Sequence, residues 1–284
     1  MLDGNVTAGD RLVLISNGGV SQTGAAIHAA NLQLTGAGAF SLYQSGNDVD
    51  TVAADLNGGS VALTDANSIA IGSVDTAGIA TGDPLVGGAV TINATSGTIT
   101  VSEPIDTSEG SGGGISILGS VIVDAPVTSG GGAIILNGNA AGDSDLEINA
   151  SVTSSGGDVE IVNRRTIQVR APVNNAGNGN TTIATCGGGD LTIAGPITSG
   201  SEEDGGAGSI TLQTAGVVDA AQRWSAAGTH LVIVGDIVDR GDDSRASMDL
   251  LMRLEPEAAA AGGKVHVVLG NHDVMSIVGD LRYT

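Results

Sequence analysis

The chain has 284 residues, with 46 glycines, about 1% aromatic side chains and a formal charge of −21. A surface this acidic repels nucleic-acid backbones and anionic lipid, which excludes both as partners. Hydrophobic content of 41% argues against disorder, and no apolar run approaches the roughly 20 residues that span a bilayer.

Phe40, Tyr43, Trp224 and Tyr283 are the whole aromatic set, so burial must come from Val, Ile, Leu and Ala. Small β-branched side chains suit thin layers better than a spherical core. Cys186 is the single cysteine, which rules out an intramolecular disulfide. The opening MLDGNVTAGDRLVLIS has neither a basic n-region nor an apolar h-region, so no signal peptide is visible. It reads like the middle of a repeat, and upstream sequence is expected.

Residues 1–98 contain short alternating segments such as LVLIS, VALTDANSIAIGSV and AVTIN. A clearer grammar follows: ITVSEPI from Ile99, VIVDAPV from Val121, LEINASV from Leu146, IQVRAPV from Ile167 and LTIAGPI from Leu191. Each reads apolar-x-apolar-x-x-Pro-apolar, with Ser151 once in place of proline, and a second short strand (GGISIL, GGAIIL, GGDVEIV) lies between copies, with GSITL after the last. Alternation puts every second side chain on one face, as in a strand. Glycines at the corners permit positive φ, and proline sits where a strand ends and its N–H is not required. A repeat of twenty-odd residues built this way predicts a right-handed parallel β-helix over residues 1–215, each coil stacking Val and Ile on the next.

That region resembles the haemagglutinin-repeat passenger domains of secreted bacterial adhesins and two-partner exoproteins. The resemblance rests on repeat grammar and implies an extracellular stalk or adhesive surface. Charge follows the same division: residues 1–215 hold 21 acidic against 4 basic side chains, and residues 216–284 hold 10 against 6.

From about Gly216 the texture changes. A strand, THLVIVG, runs into the polar loop DIVDRGDDS. A helix follows from Ser244, a suitable N-cap, with Met248, Leu251, Met252 and Leu254 at helical spacing. Pro256 is expected to interrupt it, with Gly262 and Gly263 as stop signals. A second strand, KVHVVLG, ends at Asn271-His272-Asp273. This is a truncated α/β unit, βαβ, over residues 216–284, with both polar loops at the carboxyl ends of parallel strands, where ligands in open α/β sheets bind. A lone unit cannot cover both faces of its strands, so it should pack poorly or use the end of the β-helix as a wall.

GDIVDRG and GNHD, in that order across a βαβ unit, resemble two signature blocks of the calcineurin-like metallophosphoesterases. The flanking residues resemble the Shewanella-like bacterial branch of the phosphoprotein phosphatases. The resemblance covers about 70 residues and implies phosphoester or phosphoprotein hydrolysis with a divalent metal pair (Mn, Fe or Zn). Such hydrolysis needs an activated water, neutralised phosphoryl oxygens and an acid for the leaving group. The resemblance implies Asp236 as the carboxylate between two metals and Asn271 as a neutral oxygen ligand to the second. It implies His272 as general acid, Asp239 as its orienting partner, and Arg240 as a planar fork for phosphoryl oxygens. Gly235 and Gly270 would let the backbone come near the metals.

The departures bear on activity. The family opens its site with Asp-x-His, which occurs nowhere here, and has further histidine ligands beyond the Asn-His block, whereas this chain ends eleven residues after Asp273. Asp236 and Asn271 are the only ligands of the usual set, and two weak donors do not hold a dinuclear centre. Stable metal binding and phosphatase turnover are therefore not expected. Asp273 stands where phosphoprotein phosphatases usually carry Glu. His230 and His266 read as satisfied sheet or core histidines. Arg240-Gly241-Asp242 is explained by the DRG block, not by adhesion, and Glu202-Glu203-Asp204 by a solvated corner. Cys186 reads as a small corner residue. The alternatives are a secreted or surface β-helix with a phosphatase-like remnant, or an artificial or misassembled fusion. The β-helix part points to secretion or the cell surface, the phosphatase part to cytoplasm or periplasm.

Overall fold

The computed structural model describes residues 1–83, 85, 87–110, 112–138, 144–186, 189–200, 208–214, 223–224, 228–238 and 244–279. Strands from Val6–Thr7 to Ile210–Thr214 join into one 23-stranded system with parallel pairings, a β-solenoid of about 8 turns. Residues 1–98 belong to the same stack, since Val61 pairs with Val90 and Ile69 with Ile99. The expected boundary at 215/216 lies outside the described residues.

Columns of aliphatic side chains form the core, and three of them show how each strand of the coil contributes. One column runs Ile71, Val101, Val123, Ile148, Val169, Ile193. A second runs Ile79, Ile105, Val127, Val152, Val173, Ile197. The third runs Val61, Val90, Ile115, Ile134, Val159, Thr181, Ile210. Val101, Val123, Val127, Ile134 and Val159 are each 0% exposed, and burying such a side chain stabilises by roughly 1.5–3 kcal/mol. The parallel register explains the repeat grammar: alternate residues must be apolar because each meets its counterpart one coil away.

Glycine has a different main role from the one expected. Gly59, Gly88, Gly113, Gly132, Gly157, Gly179 and Gly208 do not have positive φ. A methyl group on Gly88 would sit 1.7 Å from Gly59 O, and one on Gly113 1.9 Å from Gly88 O. The same holds up the stack, where a methyl on Gly157 would meet Gly132 C at 2.4 Å and one on Gly208 would meet Gly179 O at 2.4 Å. These glycines form a column in which the backbone of one coil occupies the space a side chain would need. Others, such as Gly97 (φ 79°), do supply the left-handed turn that was expected.

A polar column, buried up to its last member, Ser199, turns the corner beside it. Thr107, Ser129, Ser154, Asn175 and Ser199 are in register. Each donates across the corner to a glycine carbonyl: Thr107 Oγ1 to Gly113 O at 2.6 Å, Ser129 Oγ to Gly132 O at 2.6 Å, Ser154 Oγ to Gly157 O at 2.8 Å. Asn175 Nδ2 donates to Gly157 O at 3.0 Å and Ser199 Oγ to Gly179 O at 2.9 Å. The prolines sit at strand ends, as read from the sequence. Pro104, Pro126, Pro172 and Pro196 need no N–H there, and their carbonyls accept from Ile79, Ile105, Val152 and Val173 at 2.9–3.0 Å.

Thr181 is the exception in the third column. It is 0% exposed among aliphatic neighbours, and its hydroxyl has no hydrogen-bond partner. An unpaired buried hydroxyl carries a desolvation cost of about 1–3 kcal/mol. Thr181→Val has the same shape without the hydroxyl, so the variant should gain about 1 kcal/mol in urea unfolding; an unchanged or lowered midpoint would contradict this.

The C-terminal elements are a strand His230–Ile233, helix α1 Ser244–Ala260, a strand Lys264–Val267 and helix α2 Asn271–Ile277. The two strands pair in parallel, Leu231 opposite Val265, which is the expected βαβ unit. Leu254 and Ala258 of α1 bury against Val265, with Trp224, Leu231, Leu250 and Leu251 partly buried around them. Two helical details differ from expectation. α1 continues through Pro256 instead of stopping there. Proline removes one intrahelical bond, but the buried Ala258 lies beyond it and its packing on Val265 carries the helix on to Ala260. Asn271, His272 and Asp273 do not form a loop; they are the first turn of α2, with Gly270 as N-cap.

The unit has little core of its own, as expected of an isolated βαβ. Met252, Val268, Leu269 and Ile277 are 52–70% exposed, and several of these residues line a groove of about 800 Å3 between α1, α2 and the second strand. The first strand also lies close to Leu191–Ile193 of the solenoid.

Candidate active site

The carboxyl ends of the two C-terminal strands run directly into the loops that carry the candidate residues. Gly235 has φ 90°, and a methyl there would lie 2.1 Å from Gly270 N; a methyl on Gly270 would lie 2.1 Å from Asp236 Oδ1. Both positions require glycine because the two loops touch each other. Asp236 follows in the left-handed region at φ 56°, the one non-glycine residue to do so among those described. Aspartate tolerates that region better than most side chains, and the turn aims its carboxylate at α2. Asp236 Oδ1 accepts the His272 N–H at 2.9 Å.

Asp273 holds the two loops in place. It is 5% exposed. Its Oδ2 accepts from Asp236 N at 2.6 Å and Gly270 N at 2.8 Å, and its Oδ1 accepts from Ile237 N at 2.9 Å and Val238 N at 3.2 Å. Burial pushes this carboxyl up, but the four backbone donors outweigh it and hold it below its ordinary value of 3.8. The sequence marks Asp273 only as a residue standing where phosphoprotein phosphatases usually carry Glu. Its position three residues after Gly270, at the third residue of a helix, is the signal that identifies it as a cap.

Asp236, Asn271 and His272 are thus brought together, on a turn and a helix start that face one another. Asp239 and Arg240, the other two candidates, lie outside the described residues, as do Gly241, Asp242 and the Glu202–Asp204 cluster. Cys186 is exposed at a corner, with its N–H donated to Asn163 O at 2.8 Å. His230 and His266 are in the strands as expected but not in the core; they contact each other, with Nδ1 of His230 2.9 Å from Nε2 of His266.

Among the described residues the donor set does not fit a dinuclear metal centre. Among the described residues, no three His, Cys, Asp or Glu side chains are grouped to hold a metal ion. One oxygen of Asp236 is already engaged by a backbone N–H, and Asp273 spends both of its oxygens on loop amides. Among the described residues no helix is long and apolar enough to cross a membrane.

Comparison with known proteins places relatives of this segment. Residues 217–283 match the family described as calcineurin-like phosphoesterase. The Shewanella-like protein phosphatase 2 of Arabidopsis thaliana is 44% identical over 72 residues, which is 25% of this chain and 18% of that protein. An uncharacterized protein of Schizosaccharomyces pombe is 42% identical over 74 residues, 25% of this chain and 22% of its own length. The chain therefore spans about a fifth of the curated relatives it matches. No solved structure matches it.

Proposed function

We propose that the chain carries part of a calcineurin-like phosphoesterase site, of the phosphoester- or phosphoprotein-hydrolysing type, at the end of a β-solenoid, and that the 284-residue polypeptide turns substrate over slowly or not at all. The observation that supports this is the meeting of Asp236 with Asn271 and His272 at the carboxyl ends of two parallel strands, with no third metal-binding side chain beside them among the described residues. In this reading His272 donates a proton to the leaving oxygen, Asp239 orients and charges its imidazole, and Arg240 clamps two phosphoryl oxygens. Asp236 and Asn271 are the two donors the chain offers to a divalent pair, which in calcineurin-like enzymes supplies the water nucleophile and neutralises phosphate charge. One carboxylate and one amide oxygen with no supporting shell exchange a pair of such ions freely, so the remaining residues bind and position without completing the reaction.

The second reading is structural. The continuous aliphatic columns support a solenoid that stands without its C-terminal unit, in the manner of a secreted or surface stalk with a phosphatase-like remnant, or of a joined pair of unrelated segments. Hydrolysis of para-nitrophenyl phosphate with added Mn2+ tests the first reading. The rate should equal that of an Asp236→Asn variant; turnover that this substitution abolishes would overturn the proposed inactivity.

A further inference from the structure

The face of the two-stranded C-terminal sheet away from α1 carries a histidine pair that takes no part in the phosphoesterase site. Leu231 and Val265 stand opposite one another and pack toward α1. Alternation along the strands therefore puts His230, Val232, Lys264 and His266 on the other face. His230 and His266 sit diagonally across the strand pair. Their nearest ring nitrogens are 2.9 Å apart, the ring planes are within 20° and the centroids are 5.1 Å apart. The centroid separation exceeds the nitrogen separation by nearly two ring radii, so the rings meet tip to tip in line. One nitrogen donates a proton to the lone pair of the other.

Two imidazole lone pairs from separate strands, converging at this distance, are a chelate. Nitrogen–metal bonds of about 2.0–2.1 Å would subtend roughly 90° at the present separation, and a tetrahedral angle once the nitrogens spread to about 3.3 Å. The lone pairs now point at each other, so chelation turns each ring by roughly 35–45° off the line joining the nitrogens, a side-chain rotation on the face of the sheet away from α1. In the neutral pair the shared proton moves to the far nitrogen of the ring that held it, so both rings stay neutral and both near lone pairs face the cation. Imidazole pairs select borderline divalent transition ions over hard ions, which prefer carboxylate oxygens. Lys264 shares the face, but its long stem lets the ammonium extend away, and the net charge of −21 favours cations around the chain.

We propose that His230 and His266 form a bidentate site for a divalent cation of the zinc, nickel or copper class, with water completing its coordination, and that the bound ion clamps the two C-terminal strands together. The proposal does not depend on the phosphoesterase reading. Zinc titration of the full chain in a Cys186→Ser background, which removes the one thiol, tests it by imidazole nitrogen NMR. The Nδ1 of His230 and the Nε2 of His266 should move along one saturation curve that ends at one zinc per chain. Chelation by two tethered donors exceeds either donor alone by on the order of 100-fold, so His230→Ala and His266→Ala should each weaken zinc binding by about that factor. His272→Ala should leave it unchanged. The proposal fails if the two rings respond at different zinc concentrations, if either ring stays still, or if the single alanine variants bind zinc like the parent. The ring resonances of the parent decide the matter even if an alanine variant does not fold.

Discussion

Gly113→Ala should lower the stability of the solenoid by about 3 kcal/mol, at the upper end of the range for overpacking a close-fitted interior. The added methyl would lie 1.9 Å from Gly88 O and 2.2 Å from Gly88 C. Neither atom is the end of a flexible side chain, so the coils themselves must separate. The separation would also lengthen the Val90 to Gly114 backbone bond, now 2.9 Å, next to the aligned pair Val90 and Ile115. Gly18 is the control. Nothing lies within 4 Å of a methyl there and its φ is not positive, so Gly18→Ala should change stability by no more than about 0.5–1 kcal/mol. Urea unfolding followed by far-UV circular dichroism separates the two; equal midpoints for both variants would show that the coils are not in contact along the glycine column.

Asp273→Ala should unfold the C-terminal unit and leave the solenoid intact. The substitution leaves the N–H groups of Asp236, Ile237, Val238 and Gly270 without their acceptor. At about 1 kcal/mol for each of these part-buried donors, the loss exceeds what a core of Leu254, Ala258 and Val265 can offset. Asp273→Asn keeps one acceptor oxygen and should fall between. Amide hydrogen exchange is the readout: protection should vanish at His230–Ile233 and Lys264–Val267 while the solenoid strands keep theirs. Retained protection in the alanine variant would mean that the loops hold without the carboxylate. The carboxyl titrates below its ordinary value of 3.8 in the folded chain. Its contribution is therefore present above that pH and is lost as pH falls through the lower, folded value. The same exchange pattern should thus develop in the parent protein under strong acid.

What the amino-acid order revealed was the part governed by local periodicity. Ile99, Val121, Ile167 and Leu191 open copies of one pattern, and the structure stacks them because parallel in-register strands convert a period along the chain into a column across coils. The roles of Gly88 and Gly113 were not legible in the same way. A glycine beside a strand end suggests freedom in φ, whereas the constraint here is contact with a backbone some 25 residues away. Asp273 escaped for a related reason: three of its four donors belong to the other loop. Reading Pro256 as a helix stop weighed one lost hydrogen bond and not the packing of Ala258 beyond it. At the site, the order GDIVDRG then GNHD was enough to foresee that Asp236 and Asn271–His272 would meet. It could not reveal that Asp236 would be held in the left-handed region with an oxygen on the His272 amide.

On the proposed reading, the phosphoesterase-like loops offer too few donors to retain a metal pair. Mn2+, a hard ion that favours carboxylate and amide oxygens over an imidazole pair, reports on those loops most directly. Titrated into the 284-residue chain and followed by electron paramagnetic resonance, it should remain as free aquo ion at micromolar concentrations, with no spectrum of two coupled ions. Two equivalents taken up tightly as a coupled pair, and released by Asp236→Asn, would show that the loops do retain a metal pair.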